Sequence, residues 1–276
     1  MAPSLTAPPT RRLWQLLNWL LLLAGAVLVL SPLWVVLLTS LRPSGTVLGE
    51  GSRLTLENYR AAWAQGDFLR AFTNSAVVAL GVTGSQIITS ALAGYALARL
   101  TFRGRQLVLT VVLATLIIPF QLLVIPIFLI LKWGGLLNTY GALILPTAAN
   151  GYGIFLMRQF FLTIPVELEE AAALDGASRW QILWEVMFPL ARPAVTTLFL
   201  FTFIGEWNDL FKPLMFTTRP ELETVQLALA GFQEQYTNNW PLLMAAVVTA
   251  TVPVVVLFLV GQRQFIQGIT TTGLKS

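Results

Sequence analysis

The sequence predicts an all-α membrane protein: six transmembrane helices, with a loop of two short helices on the cytoplasmic side between the fourth and fifth. Three observations carry this fold class. Of the 276 residues, 56 % are hydrophobic and 11 % charged, where a soluble domain has about a quarter charged. The apolar residues gather into runs of roughly 20, the length that crosses a hydrocarbon core as a helix. In lipid every backbone polar group must bond within its own segment, so such runs are helices. The chain also has no cysteine and no histidine. That removes disulfides, thiolate metal sites and the commonest general base and metal ligand. A formal charge of +4 fits cytoplasmic Lys and Arg better than nucleic-acid binding.

Residues 1–12 read as a cytoplasmic tail of Pro, Ala, Ser and Thr ending in Arg11 and Arg12. Residues 13–38 form the first span. A signal peptide competes for this segment, but its apolar core is only about 7–15 residues long. Trp14 and Trp34 also sit near the ends of the run as interfacial anchors. Residues 39–71 form a polar extracytoplasmic loop, with helical spacing over 56–63. Residues 72–262 hold the other spans, at 72–98, 107–131, 140–161, 194–216 and 242–260, and the loop 162–190. Residues 263–276 return as a cytoplasmic tail.

Within the spans, Gly81 with Ser85 and Ser90 with Gly94 give small-xxx-small spacings that let backbones approach. Pro119 and Pro126 are expected to bend the third span. Asn150, Gly151, Tyr152 and Gly153 are expected to loosen the fourth, either as a cavity lining or as a packing kink. Six spans place both termini on one side. Arg11, Arg12, Arg99, Arg103, Arg105, Arg158, Arg179, Arg192, Arg263 and Lys275 fall on that side. Arg42, Arg53, Arg60, Arg70, Lys132, Lys212 and Arg219 fall on the other. The excess puts the termini inside, and Arg99, Arg103 and Arg105 in one short loop give the clearest sign.

The loop between spans four and five carries the most information. Pro165 suits a first helical position, and Glu167, Glu169 and Glu170 favour the positive end of a helix. Ala171, Ala172 and Ala173 propagate it, and Gly176 is suited to the left-handed stop. Ser178 then caps a second short helix that ends near Pro189. Helices this short are marginal alone, so each needs a partner surface, either the chain's own spans or another subunit. Glu170 and Asp175 offer charged hydrogen bonds at its rim.

Glu170-Ala171-Ala172, three residues, Gly176, nine residues and Val186-Met187-Phe188-Pro189 resemble the signature of binding-protein-dependent ABC importer permeases, the EAA loop. Val186 and Phe188 stand where the pattern has Ile and Leu. The resemblance implies that Glu170, Ala171, Ala172, Asp175, Gly176 and Pro189 form the surface that docks on a separate ATP-hydrolysing subunit. The chain has no Gly-x-x-x-x-Gly-Lys-Ser/Thr phosphate loop. ATP and magnesium are therefore expected on a partner ATPase dimer, with no cofactor and no catalysis in this chain.

Over nearly its whole length the chain also resembles the maltose-type carbohydrate permeases. The residues that carry this are Leu56-Glu57-Asn58-Tyr59, Phe72-Thr73-Asn74-Ser75, the segment from Ala93 to Arg99, Trp207-Asn208-Asp209 and the tail 262–275. The subfamily implies an inner-membrane importer for a sugar or oligosaccharide, a second permease making a heterodimer, and an extracytoplasmic solute-binding protein. It also implies a C-terminal tail that reaches the ATPase. A permease for another solute such as glycerol phosphate, a secondary transporter and a membrane-embedded enzyme are the alternatives.

Glu206 and Asp209 fall within the fifth span, where a carboxylate costs about 2.5–3.5 kcal/mol on insertion scales, so both should face protein or water. Lys212, three residues beyond Asp209, is placed to neutralise it. Glu206, Trp207, Asn208 and Asp209, with Asn150 and Tyr152, are the candidate translocation path. The alternative is an ion pair near the outer interface with Trp207 as packing. No metal site is expected.

Overall fold

A computed structural model of the chain describes residues 9–44, 54–236 and 238–273, with side chains over 14–44, 54–236 and 238–262. The expectations for residues 1–8 and for Arg53 and Lys275 lie outside the described residues. All regular structure among the described residues is helical. In order, the helices are α1 (Pro9–Ser40), α2 (Glu57–Gln65), α3 (Phe68–Arg99), α4 (Arg105–Thr115), α5 (Val124–Trp133), α6 (Tyr140–Ile144) and α7 (Gly151–Thr163). They continue with α8 (Glu167–Leu174), α9 (Arg179–Gln181), α10 (Phe188–Leu190), α11 (Arg192–Trp207), α12 (Phe211–Phe216), α13 (Val225–Gln235) and α14 (Trp240–Gly273).

Among the described residues, three stretches are long and apolar enough to cross a membrane unbroken: Trp14–Ser40, Phe68–Arg99 and Trp240–Gln262. Two further spans count if each bent pair is one crossing, giving five. The third expected span is such a pair, with its halves 95° apart. The break falls at Pro119, whose missing N–H ends the α4 ladder. Pro126 does not bend the chain, because it stands in the first turn of α5, where an N–H has no helical partner. The fourth expected span is cut into α6, a 3-10 turn over Leu145–Thr147 and α7. Asn150 caps α7 by accepting from Gly153 N at 3.0 Å. The fifth ends at Trp207, and α12 resumes after Asp209, whose Oδ1 accepts from Phe211 N at 2.8 Å and Lys212 N at 3.2 Å.

The chain divides into two compact units, Met1–Gln65 with Phe232–Thr249 and Gly66–Gly231 with Ala250–Ser276. In the first, α2 matches the helical spacing read over 56–63. Buried Asn58 there donates to Ser40 O at 2.9 Å and Arg42 O at 2.6 Å. Along α1 the apolar window is wholly exposed, as suits a helix whose neighbours are lipid or other chains.

The second unit is built on α3 packed against α7 and α11. Small residues set this contact, as the spacings anticipate. A Cβ on Gly94 would lie 2.9 Å from Arg158 N and Met157 Cβ, so α3 and α7 touch backbone to side-chain base. One on Gly153 would collide with Ser90 Oγ. Beneath them Tyr95, Met157, Phe161, Ile182, Met187 and Leu198 form one buried cluster.

Candidate functional site

The loop after α7 folds as two short helices around a glycine elbow. Helix α8 begins two residues after Pro165, with Glu167, Glu169 and Glu170 in its first turn. Its end is a Schellman motif. Gly176, at φ +88°, donates to Ala173 O at 3.1 Å, and Ala177 N reaches Ala172 O at 3.0 Å. A φ in this region is open to glycine without the Cβ clash other residues meet. Ser178 and Gln181 then form a capping box on α9. The helix continues as a π segment over Ile182–Met187. Pro189 explains the widened turn, since it has no N–H to return to Glu185 and its ring presses on that carbonyl. The chain then turns by 77° into α11.

The two faces of α8 differ. Ala172 and Ala177 pack on the Tyr95–Phe161 cluster. Glu169 is 4 % exposed and meets Arg99 Nε at 2.5 Å, while Tyr95 Oη donates to its Oε2 at 3.2 Å. Arg99 also donates to Phe161 O at 2.8 Å and to Ile164 O. One guanidinium thus joins the ends of α3 and α7 to α8. On the opposite face Glu170, Ala171, Asp175 and Gly176 are exposed, and Leu174 at the tip is 89 % exposed. Pro189 is half-buried at the far end.

A second polar cluster lies in the apolar interior. Lys212, 3 % exposed, pairs with Glu206 Oε2 and lies 3.4 Å from Asp209 Oδ2. Thr147 joins them, accepting from Lys212 Nζ at 2.8 Å and donating to Glu206 Oε1 at 3.2 Å. The Thr147 carbonyl accepts from Gln86 Nε2 at 2.7 Å, and Gln86 Oε1 accepts from Thr202 Oγ1 at 2.9 Å. The network therefore links α3, the 3-10 turn, α11 and α12. Lys212 reaches Glu206 as well as Asp209, because the helix breaks at Asn208 and folds the lysine back.

The other path candidates fall in different places. Trp207 is 3 % exposed, donates from Nε1 to Ala250 O at 3.0 Å, and stacks with Phe203 and edge-on with Phe72. Asn208 is exposed and accepts from Gln226 Nε2 at 3.2 Å. Tyr152 is exposed, with its ring 5.9 Å from that of Phe201. Asn150 is occupied as the α7 cap.

Sequence reasoning missed Glu169, Arg99, Gln86 and Thr147 as members of these clusters. Gln86 carried a signal, as a lone amide amid an apolar run. Glu169 carried one too: it lies three residues before Ala172 on the inward face, whereas Glu170 aligns with Leu174 on the outward one.

Comparison with known proteins gives one family. The model for the binding-protein-dependent transport system inner membrane component matches residues 86–271. The arabinooligosaccharides transport system permease protein AraQ of Halalkalibacterium halodurans is 33 % identical, over 96 % of this chain and 99 % of its own. The lactose transport system permease protein LacG of Rhizobium radiobacter is 33 % identical, over 94 % and 96 %. A crystal structure of a bacterial ABC transporter involved in import of the acidic polysaccharide alginate contains a chain with a TM-score of 0.79. That chain is 27 % identical, covering 95 % of this chain and all of its own.

Proposed function

The chain belongs to the binding-protein-dependent transport system inner membrane components, and from that premise we propose that its solute is a sugar or oligosaccharide and that α8 is its docking helix for a separate ATPase. As a family member it is a multi-pass, non-catalytic permease subunit of an ATP-driven importer, which sets aside the secondary transporter and the membrane enzyme. The oligosaccharide and lactose permeases among its relatives support the solute class.

One observation supports the docking role above others. Helix α8 is fixed to the core through Glu169 and Arg99 while Leu174 and the glycine elbow project outward. A helix held on one face and bare on the other passes a push from a partner into α3 and α7 without first melting. Glu170, Ala171, Asp175 and Gly176 form the contact surface, Ala172 seats the helix on the core behind it, and Pro189 stands at the far end, where the chain bends into α11. ATP binding in the partner would drive rigid-body switching of the permease pair.

The fuller reading has six crossings, with α6 and α7 as a broken fourth, and both termini in the cytoplasm. The partners are an ATPase dimer carrying ATP and magnesium, a second permease in a heterodimer, and an extracytoplasmic solute-binding protein. A solved alginate transporter in complex with a periplasmic protein, 17 % identical, shares the fold. The translocation path runs past Asn208, Asp209 and Tyr152, with Glu206 and Trp207 as its wall and Asn150 holding the break in the fourth span.

A second solute reading has a specific basis. The sn-glycerol-3-phosphate transport system permease protein UgpE of Shigella flexneri is 33 % identical over 90 % of this chain. Uptake into vesicles containing the whole importer separates the two. Oligosaccharide accumulation that requires internal ATP supports the proposal. Glycerol phosphate accumulation alone supports the second reading, and uptake driven by an ion gradient without ATP contradicts both.

A further inference from the structure

We propose that Arg105 and Arg158 form a site for the phosphate of an anionic phospholipid headgroup, at the end of the fold that carries α8. That this end is cytoplasmic rests on the reading above, but the site itself does not.

Both guanidiniums converge on one acceptor. Arg105 Nε donates to Leu97 O at 2.9 Å, and Arg158 Nε donates to the same oxygen at 3.2 Å. Arg105 Nη2 also reaches Ala98 O at 3.1 Å. The two positive charges are close enough to act on each other. Every ion pair among the described residues involves other side chains. The carbonyls at the end of α3 carry only the partial negative charge of a helix C-terminus, which does not offset two full charges. Each guanidinium has five N–H donors, and the carbonyl bonds leave Nη groups on both arginines free for a phosphate, which arginine binds in a planar fork.

The surroundings select a lipid over a protein carboxylate. Helix α4 leaves this point with Leu107 68 % and Val111 56 % exposed, an apolar surface suited to acyl chains. On the other side of Arg105 lies the polar turn 101–104, with Arg103 and Phe102 exposed. The arginine pair therefore stands where apolar helix surface gives way to polar loop, the depth of headgroup phosphates. Basic pockets between transmembrane helices on the cytoplasmic side are known lipid headgroup sites.

The test is native mass spectrometry of the full-length chain, purified with whatever subunits accompany it. Samples are equilibrated with equal phosphatidylglycerol and phosphatidylethanolamine. Wild type is expected to retain phosphatidylglycerol preferentially, and each arginine lost should reduce that preference about fivefold. Arg105→Gln/Arg158→Gln should abolish it, while Arg105→Lys/Arg158→Lys, which keeps the charge, should retain part. No preference in wild type, or an unchanged preference in the glutamine double variant, overturns the site. Displacement of the lipid by millimolar inorganic phosphate overturns the lipid as its source. If the glutamine variant fails to fold, the wild-type preference and the lysine variant decide. ATPase association is scored in the same samples, so failure of the importer reading stays separate from failure of the lipid site.

Discussion

Arg99 Nε and Glu169 Oε1 meet at 2.5 Å in the interior, the guanidinium 12 % and the carboxylate 4 % exposed. This contact joins the end of α3 to the first turn of α8. Removing one member of a buried pair strands the other, at about 3–5 kcal/mol. Glu169→Ala and Arg99→Ala should each lower the melting temperature of the purified chain by several degrees. Glu169→Gln/Arg99→Gln, which removes both charges, should recover part of that loss. A single variant that melts like wild type would show that the pair holds nothing.

Gly176 supplies the second prediction. A Cβ there meets no atom within 4 Å, so its substitutions act through φ alone. Left-handed backbone costs about 1–2 kcal/mol for an ordinary L-residue, with asparagine the most tolerant. ATP-dependent uptake should fall in the order Gly, Asn, Ala, Val, with α3–α7 packing and membrane insertion unchanged. Equal uptake by Gly176→Val and wild type counts against the elbow.

The helix interface yields a contrast between two glycines on α3. Gly94→Ala forces its methyl against the α7 backbone and should cost about 1–3 kcal/mol by overpacking. Gly84 has nothing within 4 Å of a built Cβ, and Gly84→Ala should stabilise by up to about 1 kcal/mol through helix propensity. Thermal unfolding in detergent reads both, and similar shifts would rule out this account of α3.

For the interior polar cluster, Lys212→Met should destabilise strongly, because it leaves Glu206 and Asp209 facing each other without a cation. Lys212→Met/Glu206→Gln should be milder. Trp207→Phe should lower stability while leaving the apparent KM for solute unchanged, since its N–H is committed to Ala250 O. Asn208→Ala should raise KM. The reverse pattern for Trp207 and Asn208 would move the path to the other side of α11.

Much of this was legible in the residues and some was not. Long apolar runs announced α1, α3 and α14. Gly176 and Ser178 announced the elbow and its caps, because each does one local job that its chemistry dictates. The breaks were harder. Pro119 and Pro126 look alike in sequence, yet Pro119 bends the chain and Pro126 sits harmlessly in a first turn. What separates them is where the preceding helix ended. The partner of Glu169 is 70 residues upstream at Arg99, and the partner of Glu206 is Lys212 across a helix break. Neither pairing has a local signature, since both depend on how helices pack.

The central claim is that α8 docks on an ATPase. The chain has no cysteine, so Leu174→Cys places a single thiol at the exposed tip of that helix. Cross-linking it to a cysteine-bearing ATPase partner in membranes, beside Leu28→Cys in α1, is the direct measurement. The account predicts a cross-linked product from Leu174→Cys that changes in yield with ATP, and none from Leu28→Cys. No product from Leu174→Cys, with both proteins present and the importer assembled, would contradict it.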